Sequence, residues 1–296
     1  MKKVLYLGSV FVLAFALYFF TIGDFSETEE FNLNSMCPRY AYNSEWNVHP
    51  ISREEESHTH SILNQKFKYK GHAHQSHIFF SEDDKYVLKL ARQARYHVPR
   101  WTRYLLPPFL PYRTHKIRSR EHKLNRDFKS YKLAFDRLQA ETSLQFVHLN
   151  HTDDFHHAVT LLDDNGNEHV IDLHDYEFIL QDMAVLVFPT LEGFMARGDT
   201  AGAQAAIDSL LELVYKRCKK GIHDSAPNFE KNFAFINNKA VQIDIGRFSA
   251  REPEKFPSIH PSFKDYLHAK FPELENYFEQ RHQVYSKKYA EPRTSS

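Results

Sequence analysis

Residues 221–248, GIHDSAPNFEKNFAFINNKAVQIDIGRF, predict a β-hairpin with polar side chains at its open end. An apolar run follows Asn232, two asparagines and a lysine occupy 237–239, and a second apolar run leads to Asp244. Asparagine tolerates the left-handed backbone that tight hairpin turns require, and the runs on either side are typical of short strands. We therefore expect the side chains of Asn232 and Asp244 to lie close together.

These two side chains form a candidate magnesium site. Mg2+ prefers oxygen ligands, takes few of them from the protein, and completes its shell with water and phosphate oxygens. Asp224 precedes the hairpin and is placed to orient or deprotonate an attacking hydroxyl. An ordinary hairpin with solvated polar ends is the alternative, which any two of these three residues alone would favour.

The composition restricts the possible architectures and partners. With 296 residues, of which 42% are hydrophobic and 15% aromatic, the chain can bury one large core or two smaller lobes. Acidic and basic residues balance to a net charge of zero, so no nucleic-acid partner is expected. The two cysteines, Cys37 and Cys218, are far apart and predict no disulfide framework.

The amino terminus predicts a membrane segment. Residues 4–22 form an uncharged apolar run that follows Lys2 and Lys3, and about 20 helical residues span a bilayer core. The run lacks the small-residue cleavage site of a signal peptide, so we expect a signal anchor over 1–23 rather than a cleaved leader. The positive-inside rule then places the remainder on the extracytoplasmic side. The polar residues 24–66 predict a tether.

Three short antiparallel strands are predicted at 67–71, 76–80 and 86–90, where apolar runs alternate with turn residues. Lys89 stands inside the third strand, and a buried amine is costly unless it reaches an anion or the surface. An edge strand is the alternative explanation. The same region holds closely spaced histidines that offer a transition-metal site instead, namely His58, His60, His72, His74 and His77.

The segment 92–126 is strongly basic and contains several aromatic residues. A solvated charged face is the usual explanation, and an anionic surface or partner is the alternative that the aromatic residues favour. From 118 to 138 the pattern becomes helical, with one apolar stripe formed by Leu124, Phe128, Tyr131, Phe135 and Leu138. Glu121 lies one turn before this stripe.

Beyond residue 140 the chain alternates between strand and helix patterns. Strands are expected in four apolar runs, at 144–149, 158–162, 169–173 and 183–188. Pro189 and Gly193 end the last of them and suit a connection between lobes. Helices are expected at 199–220, 261–269 and 272–286, and a disordered tail at 287–296.

Taken in this order, residues 67–250 resemble the protein kinase-like phosphotransferase fold. The resemblance implies an α+β, two-lobed architecture with an N-lobe at 67–188 and a reduced C-lobe at 189–286, preceded by the N-terminal transmembrane helix. The chain after residue 246 is too short for a full carboxyl-terminal lobe. The similarity is therefore closest to compact atypical kinases such as the lipopolysaccharide core sugar kinases.

The resemblance assigns two residues to a phosphate clamp and one to an adenine site. Lys89 looks like the strand lysine that holds the nucleotide phosphates, and Glu121 like the helix glutamate that pairs with it, with Asp127 as the alternative partner. Residues 185–193, which include Leu191, resemble the last strand and the hinge that receive adenine.

The resemblance also gives roles to the residues around the hairpin. Asp224 is similar to the catalytic aspartate, Asn232 to the metal-binding asparagine, and Asp244 to the aspartate of the DFG motif. Gly71 is the remaining glycine of the phosphate loop. The chain departs from signalling kinases because Asn232 follows Asp224 by eight positions rather than five, and because no HRD arginine or APE segment is present.

These roles imply an ATP- and Mg2+-dependent phosphotransferase that acts on a hydroxyl of a sugar, a glycolipid or a protein. Its partners would be the nucleotide, the acceptor and, through 4–22, a membrane. A membrane-anchored pseudokinase that serves as a binding module is the alternative, because export would remove the domain from cytosolic ATP. A secreted protein that binds metal through the histidines of 58–77 is the third hypothesis.

Overall fold

The computed structural model describes residues 31–33, 36, 40–98, 102, 106–150, 155–224 and 227–291. The expected anchor at 1–23 lies outside these ranges, and so do Cys37 and residues 292–296 of the expected tail. No helix within the described ranges is long and apolar enough to cross a membrane.

A seven-stranded sheet dominates the amino-terminal half. Its strands are β1 Lys66–His72, β2 Ser76–Ser81, β3 Tyr86–Ala91, β4 Leu144–His148, β5 Ala158–Leu162, β6 Glu168–Asp172 and β7 Phe178–Asp182. They are arranged in the order β4-β7-β3-β2-β1-β5-β6, with antiparallel neighbours except for the parallel pair β1 and β5. The three strands predicted at 67–90 are confirmed, and β3 lies inside the sheet, so Lys89 is not on an edge strand.

The assignment of the last strand to 183–188 is wrong. The strand of the sheet is β7, with Phe178, Ile179, Leu180 and Gln181 all buried. Only Val185–Leu186 of the predicted run is extended, as the two-residue strand β8, and a helix begins at Val187. The polar Gln181 inside β7 disguised the strand, because its partners come from distant parts of the chain.

The described residues between β3 and β4 include two helices. Helix α2 covers Gln93–Tyr96, and helix α3 covers Pro111–Thr142, longer than the predicted 118–138. Proline suits the first position of a helix, where its missing N–H is no loss. The whole predicted apolar stripe of α3, from Leu124 to Leu138, is buried. The predicted stripe of α3 is therefore confirmed as a buried face, which packs with Leu144, Val147 and Ile179 of the sheet.

The expected tether at 24–66 contains a helix. Helix α1 spans Arg53–Leu63 and starts with a capping box, in which Ser52 and Glu55 satisfy each other's backbone N–H groups. Ile62 and Leu63 are buried at its end. Trp46, further upstream, is also buried and donates a hydrogen bond to Asn125 of α3 at 3.0 Å. The described part of this segment is therefore packed on the domain.

The carboxyl-terminal half is mainly helical. Its helices are α4 Val187–Ala196, α5 Thr200–Lys219, α6 Pro261–Lys270 and α7 Pro272–Ala290, so α7 extends into the range expected to be disordered. Strands β10 Phe233–Ile236 and β11 Lys239–Gln242 form a three-stranded sheet with β8, and β9 His223–Asp224 pairs with β12 Phe248–Ser249. This half has an apolar core of its own, separate from the cores of the sheet and α3. The α+β class is confirmed.

The hairpin of β10 and β11 forms as predicted. Its turn is made by Asn237 and Asn238, which have φ values of 48° and 64°, and Ile236 pairs with Lys239 across it. Two consecutive left-handed residues define the turn type whose twist matches antiparallel strands.

Candidate functional site

The open end of the hairpin brings Asn232 and Asp244 together. The backbone carbonyl of Asn232 accepts hydrogen bonds from the N–H groups of Ile243, at 2.8 Å, and Asp244, at 3.3 Å. Asp244 is exposed, and its Oδ1 accepts from the N–H of Gly246 at 3.2 Å. The backbone contact brings the two residues together, and an exposed carboxylate and an amide are oxygen donors of the kind that Mg2+ combines with phosphate and water.

Lys89 reaches this end of the hairpin from the sheet. Its Nζ donates to the carbonyl oxygen of Ile243 at 2.9 Å and to Oε1 of Gln181 at 2.8 Å. Burial of the amine lowers its pKa to about 8, and the nearby carboxylate of Asp244 opposes that shift. The structure thus places a cation beside the expected metal-binding pair, although 154 residues of sequence separate Lys89 from Ile243.

Neither of the two acids expected to pair with Lys89 does so. Glu121 is exposed on α3 and lines a cavity between α3 and the segment 40–46. Asp127 is fully buried and forms ion pairs with Arg95, at 2.8 Å, and Arg126, at 2.7 Å. The predicted acidic residue of the phosphate clamp is therefore wrong. Helix α3 is oriented so that other residues face the site.

Ser130 and Tyr131 are the residues that α3 contributes. The buried hydroxyl of Ser130 donates to the carbonyl of Ile245 and accepts from the N–H of Phe248 at 2.7 Å. The phenol of Tyr131 donates to the side chain of Gln75. Sequence reasoning counted Tyr131 only as part of the apolar stripe and gave Ser130 no role. The sequence signal for Ser130 was the presence of a polar residue among the apolar residues of the buried stripe, and it was not used.

The loop between β1 and β2 lies against the segment that follows Asp244, at Gly246. Gly71 lies at a β-bulge near the end of β1, with a φ of 112°. Further along, the amide of Gln75 lies so close to Gly246 that a Cβ there would be 2.2 Å from its nitrogen. Gly246 therefore has to be a glycine while Gln75 occupies this position. The side chain of Gln75 therefore fills the position in the β1–β2 loop that a nucleotide phosphate would approach.

Asp224 lies below the hairpin and is buried. Its Oδ2 accepts hydrogen bonds from Nε2 of Gln242 at 2.7 Å and from Nη1 of Arg217 at 3.3 Å. Gln242 also approaches the carbonyl of Asp244 at 3.4 Å, so it links the two aspartates. The pairing of β9 with β12 aligns Asp224 with Phe248. The structure brings Asp224 to the base of the site with its orientation fixed.

Arg217 is the functional candidate that sequence reasoning interpreted differently. A basic residue near the carboxyl end of a helix is commonly a solvated charge that favours the helix dipole, yet Arg217 is 1% exposed. Its guanidinium lies over the ring of Phe248, 5.5 Å from the centroid, and also donates to Gln242. Burial lowers its pKa, and Asp224 opposes that shift. The neighbouring buried Cys218 was the signal that this helix face is internal.

Leu191 does not lie at a hinge. It is fully buried in α4 and belongs to the core of the carboxyl-terminal half. The connection between the halves is residues 183–186, where Val185 and Leu186 are 57% and 43% exposed. Leu186 pairs with Ala234 of the hairpin. An exposed apolar pair at this connection is better placed than Leu191 to contact a planar ring.

A buried acid near Lys89 was missed. Glu177 is 1% exposed and lines a small cavity together with Lys89, Gln75 and Tyr131. Its backbone carbonyl accepts from the N–H of Ala91 at 3.0 Å, which fixes it at the end of β3. Its place just before the apolar run of β7 gave no sign of this role.

The histidines of 58–77 are not gathered into a metal site. His60 meets His157 through their Nδ1 atoms at 2.8 Å, and His77 meets the phenol of Tyr69 at 3.3 Å. Within the described ranges, no three His, Cys, Asp or Glu side chains lie close enough to hold a metal ion.

Comparisons with known proteins find similarity to solved structures alone. No family model matches the chain, and no curated protein matches it. Among solved structures, the chain is similar to the bifunctional kinase-methyltransferase WbdD, with 15% identity and a TM-score of 0.33 over 75% of this chain and 44% of that one. A complex of WbdD with the kinase inhibitor LY294002 gives 14% identity and a TM-score of 0.34, over 75% and 45%. The chain thus spans less than half of these structures, and we base the functional assignment on the geometry of the site.

Proposed function

We propose that this chain is an ATP- and Mg2+-dependent phosphotransferase that acts on a hydroxyl of a sugar, a glycolipid or a protein. The observation that carries the proposal is the contact between Lys89 and Ile243. It joins a buried cation from the sheet to the hairpin end where Asn232 and Asp244 lie. A lysine, a pair of oxygen ligands and a nearby aspartate are the parts that phosphoryl transfer needs, because the reaction depends on positioning and charge neutralisation.

In this mechanism each side chain has a distinct task. Lys89, with a pKa of about 8, is mostly protonated at neutral pH and holds nucleotide phosphates by charge. Asn232 and Asp244 would hold Mg2+, which neutralises charge on the transferred phosphoryl group. Asp224, whose Oδ2 is fixed by Gln242 and Arg217, orients the acceptor hydroxyl and takes up its proton.

Nucleotide binding tests the first part of this proposal. Calorimetric titration with ATP should show Mg2+-dependent binding to the wild type, and Asp244→Asn should abolish the Mg2+ dependence. Asp265→Asn, an exposed aspartate on α6, serves as the matched control and should bind like the wild type. If the wild type and Asp244→Asn bind equally weakly in Mg2+, the proposed function fails.

A membrane-anchored pseudokinase that serves as a binding module is the second candidate. The ion pair between Asp224 and Arg217 and the packing of Gln75 on Gly246 favour it, because both occupy positions that catalysis requires. Phosphate transfer from labelled ATP to the protein itself or to water separates the two candidates. Transfer that disappears in Asp224→Asn supports the enzyme, and ATP binding without any transfer supports the module.

Membrane attachment through residues 4–22 is part of the same proposal. The positive-inside pattern supports an extracytoplasmic domain, which would need a source of ATP there, and an inverted anchor would place the domain in the cytoplasm. Protease treatment of intact and opened membranes measures the side directly. Cleavage of the domain only after opening the membrane would assign it to the inside.

A further inference from the structure

The amino-terminal part of α3 extends beyond the apolar core of the domain. All side chains of residues 107–123, which form the loop before α3 and its first turns, are half-buried or exposed. The buried stripe of α3 begins at Leu124. A helix that packs on a core buries one apolar face, so this part of α3 has its side chains free to meet an external partner.

Two exposed aromatic side chains lie at the tip of this segment. Phe109 is 83% exposed, the largest fraction among the large apolar side chains of the described residues, and Tyr112 is 47% exposed. The prolines at positions 107, 108 and 111 around them are exposed as well. Single exposed apolar residues are common on proteins, but these lie together within five positions. Aromatic side chains are enriched where a bilayer meets water.

Cations share one side of the helix with Tyr112. Lys116 and Lys123 follow it at spacings of four and seven residues, which place all three on the same face. Nζ of Lys116 lies 5.4 Å from the centroid of the Tyr112 ring. The pKa of Lys123 is lowered by burial and by four neighbouring cations, namely Arg120, Arg95, Arg126 and Lys116. The basic-aromatic face is therefore defined by Phe109, Tyr112, Lys116 and Lys123.

Acidic side chains do not neutralise this face. Glu121 is the single acid in the sequence from 107 to 126. It lines the cavity between α3 and the segment 40–46, on the opposite side of the helix from Tyr112 and Lys116. Asp127 comes next, but it is buried and paired with two arginines. The basic-aromatic face is thus locally positive although the whole chain has a net charge of zero.

The chain between the proposed anchor and the domain is short. Phe31 is the first described residue, and it packs on the sheet with its ring centroid 5.6 Å from that of Tyr69 and 6.1 Å from that of Phe79. Eight chain steps separate residue 23 from Phe31 (31 − 23). An extended chain of this length reaches at most about 28 Å, at roughly 3.5 Å per residue. Such a connection keeps the domain beside the bilayer, where lipid is the partner of highest local concentration.

We propose that the basic-aromatic face docks on an anionic lipid surface, with Phe109 and Tyr112 at the level of the headgroups and the two lysines against lipid phosphates. The inference rests on the membrane attachment that is part of the proposed function. Positive charge alone would also suit an acidic protein, but the exposed aromatic tip and the short connection favour lipid. Because Ser130 of the same helix contacts Ile245 beside Asp244, docking would also fix how the site faces the bilayer.

Reconstitution of the full chain in vesicles tests this inference. The anchor would insert both into neutral phosphatidylcholine and into phosphatidylcholine with about 30% phosphatidylglycerol, so the comparison isolates the effect of lipid charge. We expect hydrogen exchange of the backbone amides of 107–116 to slow at least about fivefold in the anionic vesicles. The difference should disappear at about 1 M salt, where the Debye length falls to roughly 3 Å.

Two matched variants separate the face from net charge. Lys116→Glu/Lys123→Glu should remove the protection and keep Mg2+-dependent ATP binding within about twofold of the wild type. Lys239→Glu/Lys255→Glu makes the same change of charge at exposed positions of the carboxyl-terminal half and should keep the protection. Phe109→Trp reports insertion directly. Its added fluorescence, relative to the wild type, should be quenched by lipids with brominated acyl chains in anionic vesicles and not in neutral ones.

Three results would overturn the inference. Equal protection in neutral and anionic vesicles would remove the role of the lysines. Equal loss in the two double variants would show an effect of net charge alone. Protection by polyglutamate and not by anionic vesicles would assign the face to an acidic protein.

Failure of the proposed function gives different results. Release of the chain from neutral vesicles by high salt would refute the anchor, and protection of 107–116 in anionic vesicles would still support the docking face. Absence of ATP binding in the wild type would refute the phosphotransferase, and the same protection would leave a lipid-binding surface on a module without that activity.

Discussion

The guanidinium of Arg217 and the carboxylate of Asp224 form a buried ion pair at 3.3 Å, with both side chains about 2% exposed. Removing one member of a buried pair leaves an uncompensated charge, which typically costs 3–5 kcal/mol. We expect Arg217→Met to lower the free energy of unfolding by roughly that amount, measured by urea denaturation. The double variant Arg217→Met/Asp224→Asn should recover most of the loss, because neither charge then remains.

Variants of the same ion pair distinguish a structural role of Asp224 from a catalytic one. Arg217→Lys keeps the positive charge but loses the second contact, to Gln242. If Asp224 only stabilises the fold, its replacement by Asn in the double variant should leave any phosphate transfer intact. A stable double variant without transfer would instead assign the carboxylate to the chemistry.

The β1–β2 loop covers Gly246, in the segment proposed to bind metal, through the side chain of Gln75. Its amide packs on Gly246 and accepts a hydrogen bond from Tyr131. A nucleotide phosphate must displace this side chain, so Gln75→Ala should raise ATP affinity roughly fivefold, corresponding to a net hydrogen bond of ~1 kcal/mol. Gln65→Ala is the matched control, because Gln65 accepts from Asp83 in another turn. Unchanged affinity in Gln75→Ala would show that the loop does not obstruct the phosphates.

The first three strands and the hairpin could be predicted from the sequence because their signals are local. Asn237 and Asn238 specify a tight turn by their own backbone preferences, and this turn fixes the register that joins Asn232 to Asp244. The helix α1 had an equally local signal in Ser52 and Glu55, which the polar composition of the segment obscured.

The partners of Lys89 could not be predicted because they depend on distant contacts. The face that α3 turns to the site is set by the bond between Ser130 and Ile245, 115 residues apart. The sequence spacing of Glu121 carries no information about that contact. Gln181, which receives the Lys89 amine, likewise lay in a strand that local patterns did not identify.

The pKa of Lys89 predicts a pH dependence of nucleotide binding. Phosphates bind the protonated amine, so ATP affinity should fall as the pH rises through about 8. The affinity measured from pH 6.5 to 9.5 should show this loss in the wild type and not in Lys89→Met. Lys85→Met, in the turn between β2 and β3, should keep the wild-type pH profile. A flat profile in the wild type would remove Lys89 from the phosphate site.

The lowered pKa of Lys89 also affects the stability of the fold, which should rise with pH where ATP affinity falls. The pKa of Lys89 is about 8 in the folded chain and near 10.5 in the unfolded chain, so the unfolded state binds more protons between these values. Stability contributed by this group therefore rises with pH from about 8 to 10.5. The difference in unfolding free energy between the wild type and Lys89→Met should move in favour of the wild type across that interval.

Ser130 provides the link between α3 and the segment that carries Asp244. Its buried hydroxyl holds both Ile245 and Phe248, so Ser130→Ala leaves a buried carbonyl and a buried N–H without partners, at a cost of roughly 1–3 kcal/mol. Because Asp244 precedes Ile245, we expect Mg2+-dependent ATP binding to weaken as well. Ser209→Ala is the matched control, since Ser209 accepts from the N–H of Ala240 at 2.9 Å on the other side of the hairpin. It should lower stability without changing the Mg2+ dependence, and an equal effect of both variants on ATP binding would show that Ser130 acts through stability alone.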